Sequence, residues 1–430
     1  MSEQKFKKIS VVGLGYIGLP TAAMFASRKI EVVGVDVNQH AVDTINRGEI
    51  HIVEPDLDMV VQAAVTEGYL RATTQAEPAE AFLIAVPTPF KGRNHEPDLS
   101  YIEAASKAIA PVLEVGNIVI LESTSPVGAT EAMADWLAKS RPDLSFPQSA
   151  GETSDIRIAH CPERVLPGMV MQELITNNRV IGGMTPACSK VAVALYKSFV
   201  TGECVVASSP RVAEMAKLTE NSFRDVNIAF ANELSMICDK QEINVWELIN
   251  LSNRHPRVNI LQPGPGVGGH CIAVDPWFIV SLAPNTAKLI KTARLTNDFK
   301  PNWILEKVDS TIKKFLKSNN SLSIADVTIA CYGLAYKANI DDLRESPSLR
   351  IAKKINSKYK NVLCVEPNID TDEIHAMGLK PATSQFAAKT ANIHIILVAH
   401  NEFENLETTF EDSRFLIDAC GITKSSILNL

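Results

Sequence analysis

The sequence predicts an α/β chain in which two doubly wound parallel sheets are joined by a central helical segment. Short apolar runs alternate with helical patterns over residues 1–205 and again from residue 326, as repeated strand–helix units require. Between these two regions, residues 209–253 have the pattern of long helices with few breakers. A chain of 430 residues is also too long for one hydrophobic core, so more than one domain is expected.

Apolar runs in the first half predict the strands of the first sheet. Helical patterns near residues 17–28, 38–47, 99–113 and 128–139 separate the earlier runs, and this alternation favours parallel pairing. The predicted strands are 8–13, 31–36, 81–86, 117–121, 156–161 and 179–183. We therefore predict a first domain over residues 1–205.

Residues 206–312 are predicted to form a central helical domain. On its first helix, side chains recur at a spacing of three or four residues that predicts one buried helix face. These residues are Val212, Met215, Ala216, Thr219 and Phe223. A helical segment of this length usually joins domains or forms a dimer interface.

The last part of the chain, residues 313–430, predicts a second, smaller domain that echoes the first. Its predicted strands are 326–333, 361–366, 393–400 and 415–419. Ser346 and Pro347 suit the N-cap and first position of the helix between the first two strands. The lysine-rich stretch 313–320 is interpreted as a solvated helix end or linker.

Composition and charge exclude several classes of function. A net charge of −7 argues against a general role in binding nucleic acid or an anionic membrane. The eight cysteines lie far apart without a C-x-x-C pair, which indicates neither a metal site nor a disulfide framework and suits a reducing cytoplasm. The apolar N-terminal run is broken by glycines and leads into a strand, so it is not interpreted as a targeting segment. No apolar stretch approaches the ~18 residues of a membrane helix.

The chain opens with a dinucleotide-binding pattern. Gly13-Leu14-Gly15-Tyr16-Ile17-Gly18 fits G-x-G-x-x-G, directly after a predicted strand and before a predicted helix. Glycines there form a tight turn and let a pyrophosphate approach the helix N-terminus. Asp36 ends the second strand, where a carboxylate accepts the ribose hydroxyls and repels a 2′-phosphate. The sequence therefore predicts a Rossmann-like domain that prefers NAD over NADP.

Two threonines follow other strands of the same predicted sheet. Thr88 comes after strand 81–86 and Thr124 after strand 117–121. Because ligands bind at the carboxyl ends of such strands, both loops are expected to face the cofactor. An equal alternative is that each threonine is a helix N-cap.

Charged side chains occur at two further places. Glu163 and Arg164 follow strand 156–161, a pattern that by itself is more often a surface ion pair than a site. On the central helix, Lys217 and Asn221 lie four residues apart on one face, with Arg224 beside them. A partly buried lysine can act in proton transfer, whereas the plainer interpretation is a lysine whose amine reaches solvent.

Residues 263–277 are the most informative stretch for chemistry. Cys271 follows four glycines within six positions, and Asp275 lies four residues later. Glycines let backbone and ligand approach closely, and a thiol beside a nicotinamide suits oxidation of an aldehyde through a covalent thiohemiacetal and thioester. For an isolated glycine run, a buried structural cysteine would be the better interpretation.

Together these motifs resemble the UDP-glucose/GDP-mannose dehydrogenase family over nearly the whole chain. The resemblance rests on blocks in the family's order: GLGYIGLP at 13–20, ESTSPVG at 122–128, PERVLPG at 162–168, the helix at 214–224, GPGVGGHCIAVDPWF at 264–278 and GLAYKANIDDLRESPS at 333–348. It implies two successive NAD-dependent oxidations of C6 of UDP-N-acetyl-D-mannosamine to the uronic acid. It also implies a place in cell-surface polysaccharide biosynthesis.

The resemblance implies a role for individual residues. Cys271 would be the nucleophile, Lys217 an acid/base or oxyanion-stabilising group helped by Asn221 and Asp275, and Thr124 and Glu163 the pair that orders or activates water. Residues implied to line the UDP-sugar pocket are Arg164, Val165, Arg224, Gly268, Tyr336 and Lys337. His255 and Arg257 would reach that pocket from the neighbouring subunit of a homodimer. Arg344 would lie on the NAD side, with the loop residues Gly13, Gly15, Tyr16, Ile17 and Gly18.

Two departures favour the N-acetylhexosamine branch of the family over UDP-glucose. A second glutamate usual in UDP-glucose enzymes is replaced by Pro167, and the glycine loop contains His270. The same reaction on UDP-N-acetylglucosamine, UDP-N-acetylgalactosamine or UDP-glucose remains the alternative, since one ring contact decides an epimer. A non-catalytic NAD-binding regulator is disfavoured because Cys271 and Lys217 are both present.

Overall fold

The computed structural model of the protein describes residues 6–92, 95–166, 168–269, 271–406 and 415–423. The chain divides into two compact units, Met1–Glu220 and Asn221–Leu430. Pro167 and His270, the two departures from the UDP-glucose pattern, lie outside the described residues. In the described part of the chain, no helix is long and apolar enough to span a bilayer.

The first unit is built on a twisted sheet with helices on its faces. Its strands are β1 (Lys8–Val12), β2 (Glu31–Val35), β3 (Leu70–Thr73), β4 (Ala81–Ile84), β5 (Phe90–Lys91), β6 (Glu96–Pro97), β7 (Ile118–Leu121), β8 (Arg157–His160), β9 (Arg179–Gly183) and β10 (Cys204–Val206). Its helices are α1 (Gly18–Ala26), α2 (Gln39–Asn46), α3 (Leu57–Thr66), α4 (Ser100–Ile109), α5 (Ala129–Ser140), α6 (Pro147–Ala150), α7 (Val170–Thr176), α8 (Pro186–Tyr196) and α9 (Pro210–Lys240), the last of which continues into the second unit.

In the described residues the main sheet has the order β10-β9-β8-β7-β4-β1-β2-β3. All six strands predicted for this domain are present, whereas β3 and β10 were not predicted. The sheet is parallel as predicted except at one pair, where β9 runs antiparallel to β8. After β8 the chain returns through α7 from the same end of the sheet instead of crossing it. The carboxyl ends of β1, β4, β7 and β8 still share one edge, as parallel pairing requires.

The second unit combines helices with a smaller parallel sheet. Its strands are β11 (Thr328–Tyr332), β12 (Asn361–Val365), β13 (Ile393–Ile396) and β14 (Leu416–Asp418), in the order β12-β11-β13-β14. The helices are α10 (Val245–Ser252), α11 (Asp275–Leu282), α12 (Lys288–Ser318), α13 (Pro347–Lys358), α14 (Thr371–Ala376) and α15 (Ser384–Thr390). Ser346 caps α13 as predicted, since its hydroxyl accepts a bond from the Leu349 N–H. The lysine-rich stretch 313–320 covers the last turns of α12 and continues past its end at Ser318.

The two units repeat one strand-and-loop arrangement, which confirms the predicted echo. Gly13 follows β1 and Gly333 follows β11, each with φ of 91°, a conformation that glycine adopts without strain. The N–H of each glycine donates to the last residue of the next strand, Val35 or Val365, at 2.8 Å. Both sheets therefore present a turn of the same shape at the carboxyl end of their first strand.

The prediction of a buried stripe on the first central helix is wrong. On α9, Val212 is 48% exposed and Phe223 is 68% exposed, while Met215 and Thr219 are also exposed. The buried side of the same helix carries polar residues instead, which include Glu214, Lys217, Asn221 and Asp225. Periodicity identifies an apolar face, but it does not say which surface covers that face.

Candidate active site

The glycine loop after β1 has the shape that a dinucleotide needs. A side chain at Gly13 would place Cβ 2.7 Å from the Ala85 carbonyl oxygen, and one at Gly18 would meet the Gly13 carbonyl. At Gly15, by contrast, the space around a Cβ position is open within 4 Å. Gly13 and Gly18 therefore close the turn, and Gly15 leaves room in front of the N-terminus of α1, where backbone N–H groups favour a phosphate.

Asp36 follows β2 and is half-buried. One carboxylate oxygen accepts the Leu14 N–H at 2.8 Å, and the other accepts the Asn38 N–H at 2.9 Å. These bonds aim the carboxylate at the glycine loop, and each oxygen retains a lone pair for a ribose hydroxyl. Tyr16 and Ile17 lie half-buried in the same loop. The residues fit the adenosine and pyrophosphate parts of NAD.

Thr88 and Thr124 lie together at the sheet edge. The Thr88 hydroxyl donates to the Thr124 carbonyl, which joins the loops that follow β4 and β7. Neither residue is a helix N-cap, because the residue before α4 is Leu99 and the residue before α5 is Gly128. The alternative interpretation of both threonines as caps is wrong.

Glu163 is held by a buried ion pair. One of its oxygens lies 2.5 Å from an Arg179 nitrogen, and the other accepts the Arg164 N–H at 2.7 Å. The Arg179 guanidinium lies over the rings of Tyr196 and Phe199, 5.0 and 5.7 Å from their centroids. Both partners of the ion pair are almost completely buried, so Glu163 has a fixed orientation.

Glu122 belongs to the same buried cluster. Its Oε1 accepts the Tyr196 hydroxyl at 2.6 Å, while its Oε2 has no hydrogen-bond partner among the described residues. Burial raises the pKa of the Glu122 carboxyl to about 7, with a further rise from the charge of Glu163. The Arg179 charge and the Tyr196 hydroxyl act in the opposite direction. Burial thus favours the neutral acid for one of the two glutamates in this cluster.

Arg164 forms an ion pair, but its partner is Glu220 and not the neighbouring Glu163. Its guanidinium lies 2.7 Å from a carboxylate oxygen of Glu220 on α9, and both side chains are about one third exposed. It also donates to the Asn178 carbonyl at 3.1 Å. The neighbouring Val165 packs against the core of the first unit. Glu163 and Arg164 are adjacent in sequence but have different partners.

The three predicted site residues on the central helix differ in how exposed their side chains are. Lys217 is 9% exposed and Asn221 is 4% exposed, whereas Arg224 is exposed. Within the second unit, the Asn221 amide donates to the Asp275 carboxylate at 2.5 Å. Most of the Lys217 side chain is buried, as both interpretations require, so the choice between a proton-transfer lysine and one whose amine reaches solvent stays a prediction.

Cys271 lies in a turn that leads directly into α11. Its carbonyl accepts the N–H groups of Val274 and Asp275, and Asp275 is the first residue of the helix. Cys271 is exposed, whereas the other cysteines are buried or half-buried. The interpretation as a buried structural cysteine is therefore wrong.

The glycines before Cys271 are packed against the protein itself. A Cβ at Gly268 would lie 2.6 Å from Cβ of Tyr336 and 2.8 Å from the Glu345 carbonyl oxygen. Gly269 donates its N–H to the Arg344 carbonyl at 3.0 Å. These glycines are needed for close contact with the segment that follows β11, so part of the glycine pattern reflects packing.

The remaining predicted residues lie in two loops of the second unit. Tyr336 is half-buried and Lys337 is exposed. Arg344 is exposed and pairs with Asp342 at 2.6 Å.

His255 and Arg257 are both exposed in the loop after α10. This loop is closed by two bonds between Asn253 and Ile260. Both side chains therefore extend from a loop whose two ends are hydrogen-bonded to each other.

Within each unit, the structure brings several predicted residues together. The first unit joins the glycine loop with Asp36, Thr88 with Thr124, and Glu163 with Arg164. The second joins Asn221 with Asp275, and Gly268 and Gly269 with Tyr336 and Arg344. The sequence analysis missed Arg179 and Glu122, although Arg179 begins β9 and Glu122 directly follows β7. In the described residues, no cluster of three or more His, Cys, Asp or Glu side chains could hold a metal ion.

Comparisons with known proteins divide the chain into three domains. Family models of the UDP-glucose/GDP-mannose dehydrogenase family match residues 7–200 as the NAD binding domain, 211–299 as the central domain and 330–425 as the UDP binding domain. The boundaries predicted at 205 and 312 stay predictions.

Individual relatives are similar over almost their whole length. The UDP-N-acetyl-D-mannosamine dehydrogenase of Yersinia pestis is 62% identical over 97% of this chain and 99% of its own. The NDP-N-acetyl-D-galactosaminuronic acid dehydrogenase of Ralstonia nicotianae is 61% identical over 97% of this chain and 96% of its own. Among solved structures, the UDP-D-ManNAc dehydrogenase of Pyrococcus horikoshii has a TM-score of 0.86 at 37% identity, covering 98% and 97% of the two chains.

These matches confirm the predicted family, fold class, cofactor and enzyme class. The three family models together span most of the chain, and the relatives exceed 60% identity. The chain belongs to the UDP-glucose/GDP-mannose dehydrogenase family and is an NAD-dependent UDP-sugar dehydrogenase.

Proposed function

We propose that the chain oxidises C6 of UDP-N-acetyl-D-mannosamine to the carboxylate level. The net reaction converts UDP-N-acetyl-D-mannosamine, two NAD⁺ and water into UDP-N-acetyl-D-mannosaminuronic acid, two NADH and two protons. The observation that carries this proposal is the exposed Cys271, presented just before α11 while the Asn221–Asp275 pair is buried at the start of that helix. The relatives from Yersinia pestis and other bacteria support the choice of sugar.

When bound, NAD supplies the acceptor for the hydride that leaves C6 in each oxidation. Its place is proposed along Gly13, Gly15, Tyr16, Ile17 and Gly18, with Asp36 at the ribose. Thr88, Thr124 and Arg344 complete the proposed contacts. The open space at Gly15 and the fixed carboxylate of Asp36 support this assignment.

Cys271 holds the substrate between the two oxidations. Its sulfur adds to the aldehyde carbon to give a thiohemiacetal, and oxidation of that adduct leaves a thioester. The covalent bond prevents loss of the aldehyde, while the UDP group supplies binding energy far from the reacting carbon. Lys217 is assigned to proton transfer or to stabilising the oxyanion at C6, and Asn221 and Asp275 support it.

Water then hydrolyses the thioester and restores the thiol of Cys271. Glu163 is assigned to accept a proton from this water, with Thr124 helping to order it. The ion pair with Arg179 and the bond from the Arg164 N–H fix the carboxylate, and lone pairs remain for the water. Arg164, Val165, Arg224, Gly268, Tyr336 and Lys337 are assigned to the nucleotide sugar.

The proposed active form is a homodimer in the cytoplasm. Val212, Met215, Phe223, Phe230 and Ile237 are all exposed on α9, and a row of large apolar side chains on one helix is typical of an interface. His255 and Arg257 are exposed and are assigned to the neighbour's pocket. A reducing compartment keeps Cys271 as a thiol.

A second candidate is the corresponding oxidation of UDP-N-acetylgalactosamine. The observation that favours it is the Ralstonia relative, whose identity of 61% is close to the 62% of the Yersinia enzyme. The two sugars differ in ring stereochemistry, so a few contacts decide between them.

NADH absorbance with a panel of UDP-hexoses tests the proposal. UDP-N-acetyl-D-mannosamine should give two equivalents of NADH per sugar and the highest kcat/KM. A higher value with UDP-N-acetylgalactosamine would favour the second candidate. One equivalent per sugar would refute the two-step oxidation, and none with any sugar would refute the enzyme assignment.

A further inference from the structure

Tyr336 and Lys337 lie in a short loop that we call the 334–339 loop, after its residue numbers. The loop follows β11 and the turn at Gly333. At its start, the N–H groups of Leu334 and Ala335 both donate to Oε2 of Glu366, at 2.7 and 3.0 Å. Glu366 directly follows β12, so the neighbouring strand holds the beginning of the loop.

The end of the 334–339 loop is held by residues that follow a different strand, β13. The N–H of Asn339 donates to Nδ1 of His400 at 3.0 Å. The Asn339 side chain also exchanges two bonds with Asn401, at 3.0 and 2.9 Å. His400 and Asn401 follow β13, so both ends of the loop are fixed to residues at the carboxyl ends of strands.

The two holding residues are bonded to each other. Nε2 of His400 lies 3.1 Å from Oε2 of Glu366, and neither side chain is accessible to solvent. A backbone N–H can only donate, so Nδ1 of His400 accepts the Asn339 bond and carries no proton. The ring proton therefore lies on Nε2 and is donated to Glu366. One imidazole thus links the two ends of the loop.

The first unit contains the same arrangement in an open form. Asp36 accepts the N–H groups of Leu14 and Asn38, and it is half-buried. In the second unit, Glu366 accepts the equivalent backbone N–H groups of Leu334 and Asn368. It also accepts the backbone N–H of Ala335 and a bond from the ring of His400. The second carboxylate is buried beneath these donors and offers no exposed edge to a ribose.

Glu366 remains charged in this buried position. Burial by itself would raise the pKa of its carboxyl, but the hydrogen bonds from His400, Leu334 and Ala335 lower it overall. A charged acceptor makes stronger bonds to backbone N–H groups than a neutral one does. The carboxylate is therefore suited to hold a loop in one conformation.

We propose that Glu366 and His400 are positioning residues for the nucleotide sugar. Together they fix both ends of the 334–339 loop and so orient Tyr336 and Lys337 toward the UDP group. In the second unit, the turn that resembles the dinucleotide-binding turn of the first unit holds its own loop in place. This inference rests on the proposed function, which assigns Tyr336 and Lys337 to the nucleotide sugar.

Nδ1 of His400 also lies 2.9 Å from the side-chain amide nitrogen of Asn368. Two conservative variants of His400 separate the bonds made by its two ring nitrogens. His400→Asn keeps an acceptor near the position of Nδ1 and loses the donor to Glu366, whereas His400→Gln keeps a donor near Nε2 and loses the acceptor. With UDP alone as the probe, calorimetry should show the Kd raised about tenfold in each, as loss of one buried hydrogen bond implies. The KM for the UDP-sugar should rise with it, while kcat and the Kd for NAD change little.

Hydrogen exchange reports on the loop directly. The amides of Leu334, Ala335 and Asn339 should exchange faster in both variants than in the unmutated protein. His394→Gln is the matched control, because His394 is a buried histidine on β13 that bonds to Tyr332, whereas the bonds described above for the loop come from Glu366, His400 and Asn401. It should lower thermal stability without changing the Kd for UDP.

An unchanged Kd for UDP in both folded His400 variants would overturn the inference, as would a fall in kcat alone. An equal loss of UDP affinity in His394→Gln would also overturn it, by showing a general effect of destabilisation. The UDP and exchange measurements do not depend on which hexose is oxidised. Failure of every UDP-sugar in the NADH assay would therefore refute the proposed function while leaving this inference separately testable.

Discussion

Replacing Glu122 by glutamine should change how the stability of the protein depends on pH. Glutamine has nearly the same shape and can still accept the Tyr196 hydroxyl bond, but it stays neutral at every pH. Glu122 is 1% exposed, and burial raises the pKa of its carboxyl to about 7. The ordinary value, 4.5, applies when the chain unfolds.

The sign and size of the effect follow from this difference in pKa. Because the pKa of Glu122 is higher in the folded state, its stabilising contribution is fully present below pH 4.5 and is lost as pH rises through about 7. The shift corresponds to about 3 kcal/mol of unfolding free energy. Relative to the unmutated protein, Glu122→Gln should therefore gain about 3 kcal/mol of stability between pH 4.5 and pH 8.

Thermal unfolding of both proteins across this pH range measures the effect. The difference in Tm should shift in favour of the glutamine variant by on the order of 3–4 °C for a chain of 430 residues. Infrared spectroscopy gives a second readout. The C=O stretch of the protonated Glu122 carboxyl should titrate near neutral pH and be lost in Glu122→Gln, whereas that of Asp225, whose pKa burial raises to about 6, should remain in both proteins. Tyr196→Phe removes a hydrogen bond that lowers the pKa of Glu122, so it should move this titration to higher pH. A difference in Tm that stays constant from pH 4.5 to pH 8 would refute the reasoning.

The other predictions concern cofactor, assembly, chemistry and packing. Asp36→Ala should reduce the preference for NAD over NADP in kcat/KM, and equal rates with both cofactors in the unmutated enzyme would contradict the ribose assignment. Mixing Arg257→Ala with Cys271→Ser should partly restore activity through hybrid dimers, and no recovery after verified subunit exchange would place both residues in one chain's site. Cys271→Ser alone should bind both ligands yet lose turnover by several orders of magnitude, since serine is a poorer nucleophile and leaving group; an acyl adduct mapped by mass spectrometry to another cysteine would contradict this. Gly268→Ala should lower Tm because its Cβ would meet Tyr336, whereas Gly264→Ala, whose Cβ has open space, should not; equal losses would argue against the packing explanation.

The local sequence was sufficient for the cofactor loop and the strands around it. A turn needs glycine wherever its backbone has positive φ or approaches another chain segment closely, so Gly13 and Gly18 reveal the loop. Asp36 could be predicted because it follows a short apolar run at the expected distance. Cys271 was predicted from its place in a glycine-rich loop together with the other blocks of the family; its exposure fits that prediction, and its role as the nucleophile stays a prediction.

Only the tertiary structure decided which partners the charged residues have. Arg179 lies sixteen residues from Glu163 along the chain, and the two form an ion pair because β9 returns beside β8. Likewise, Glu366 and His400 lie thirty-four residues apart, and the order of β12, β11 and β13 brings them together. The exposed apolar side chains on α9 are a further example, because the sequence did not reveal which face of that helix is buried. Hydrophobic period and turn chemistry are local properties of a sequence, whereas burial and charge pairing depend on which strands become neighbours.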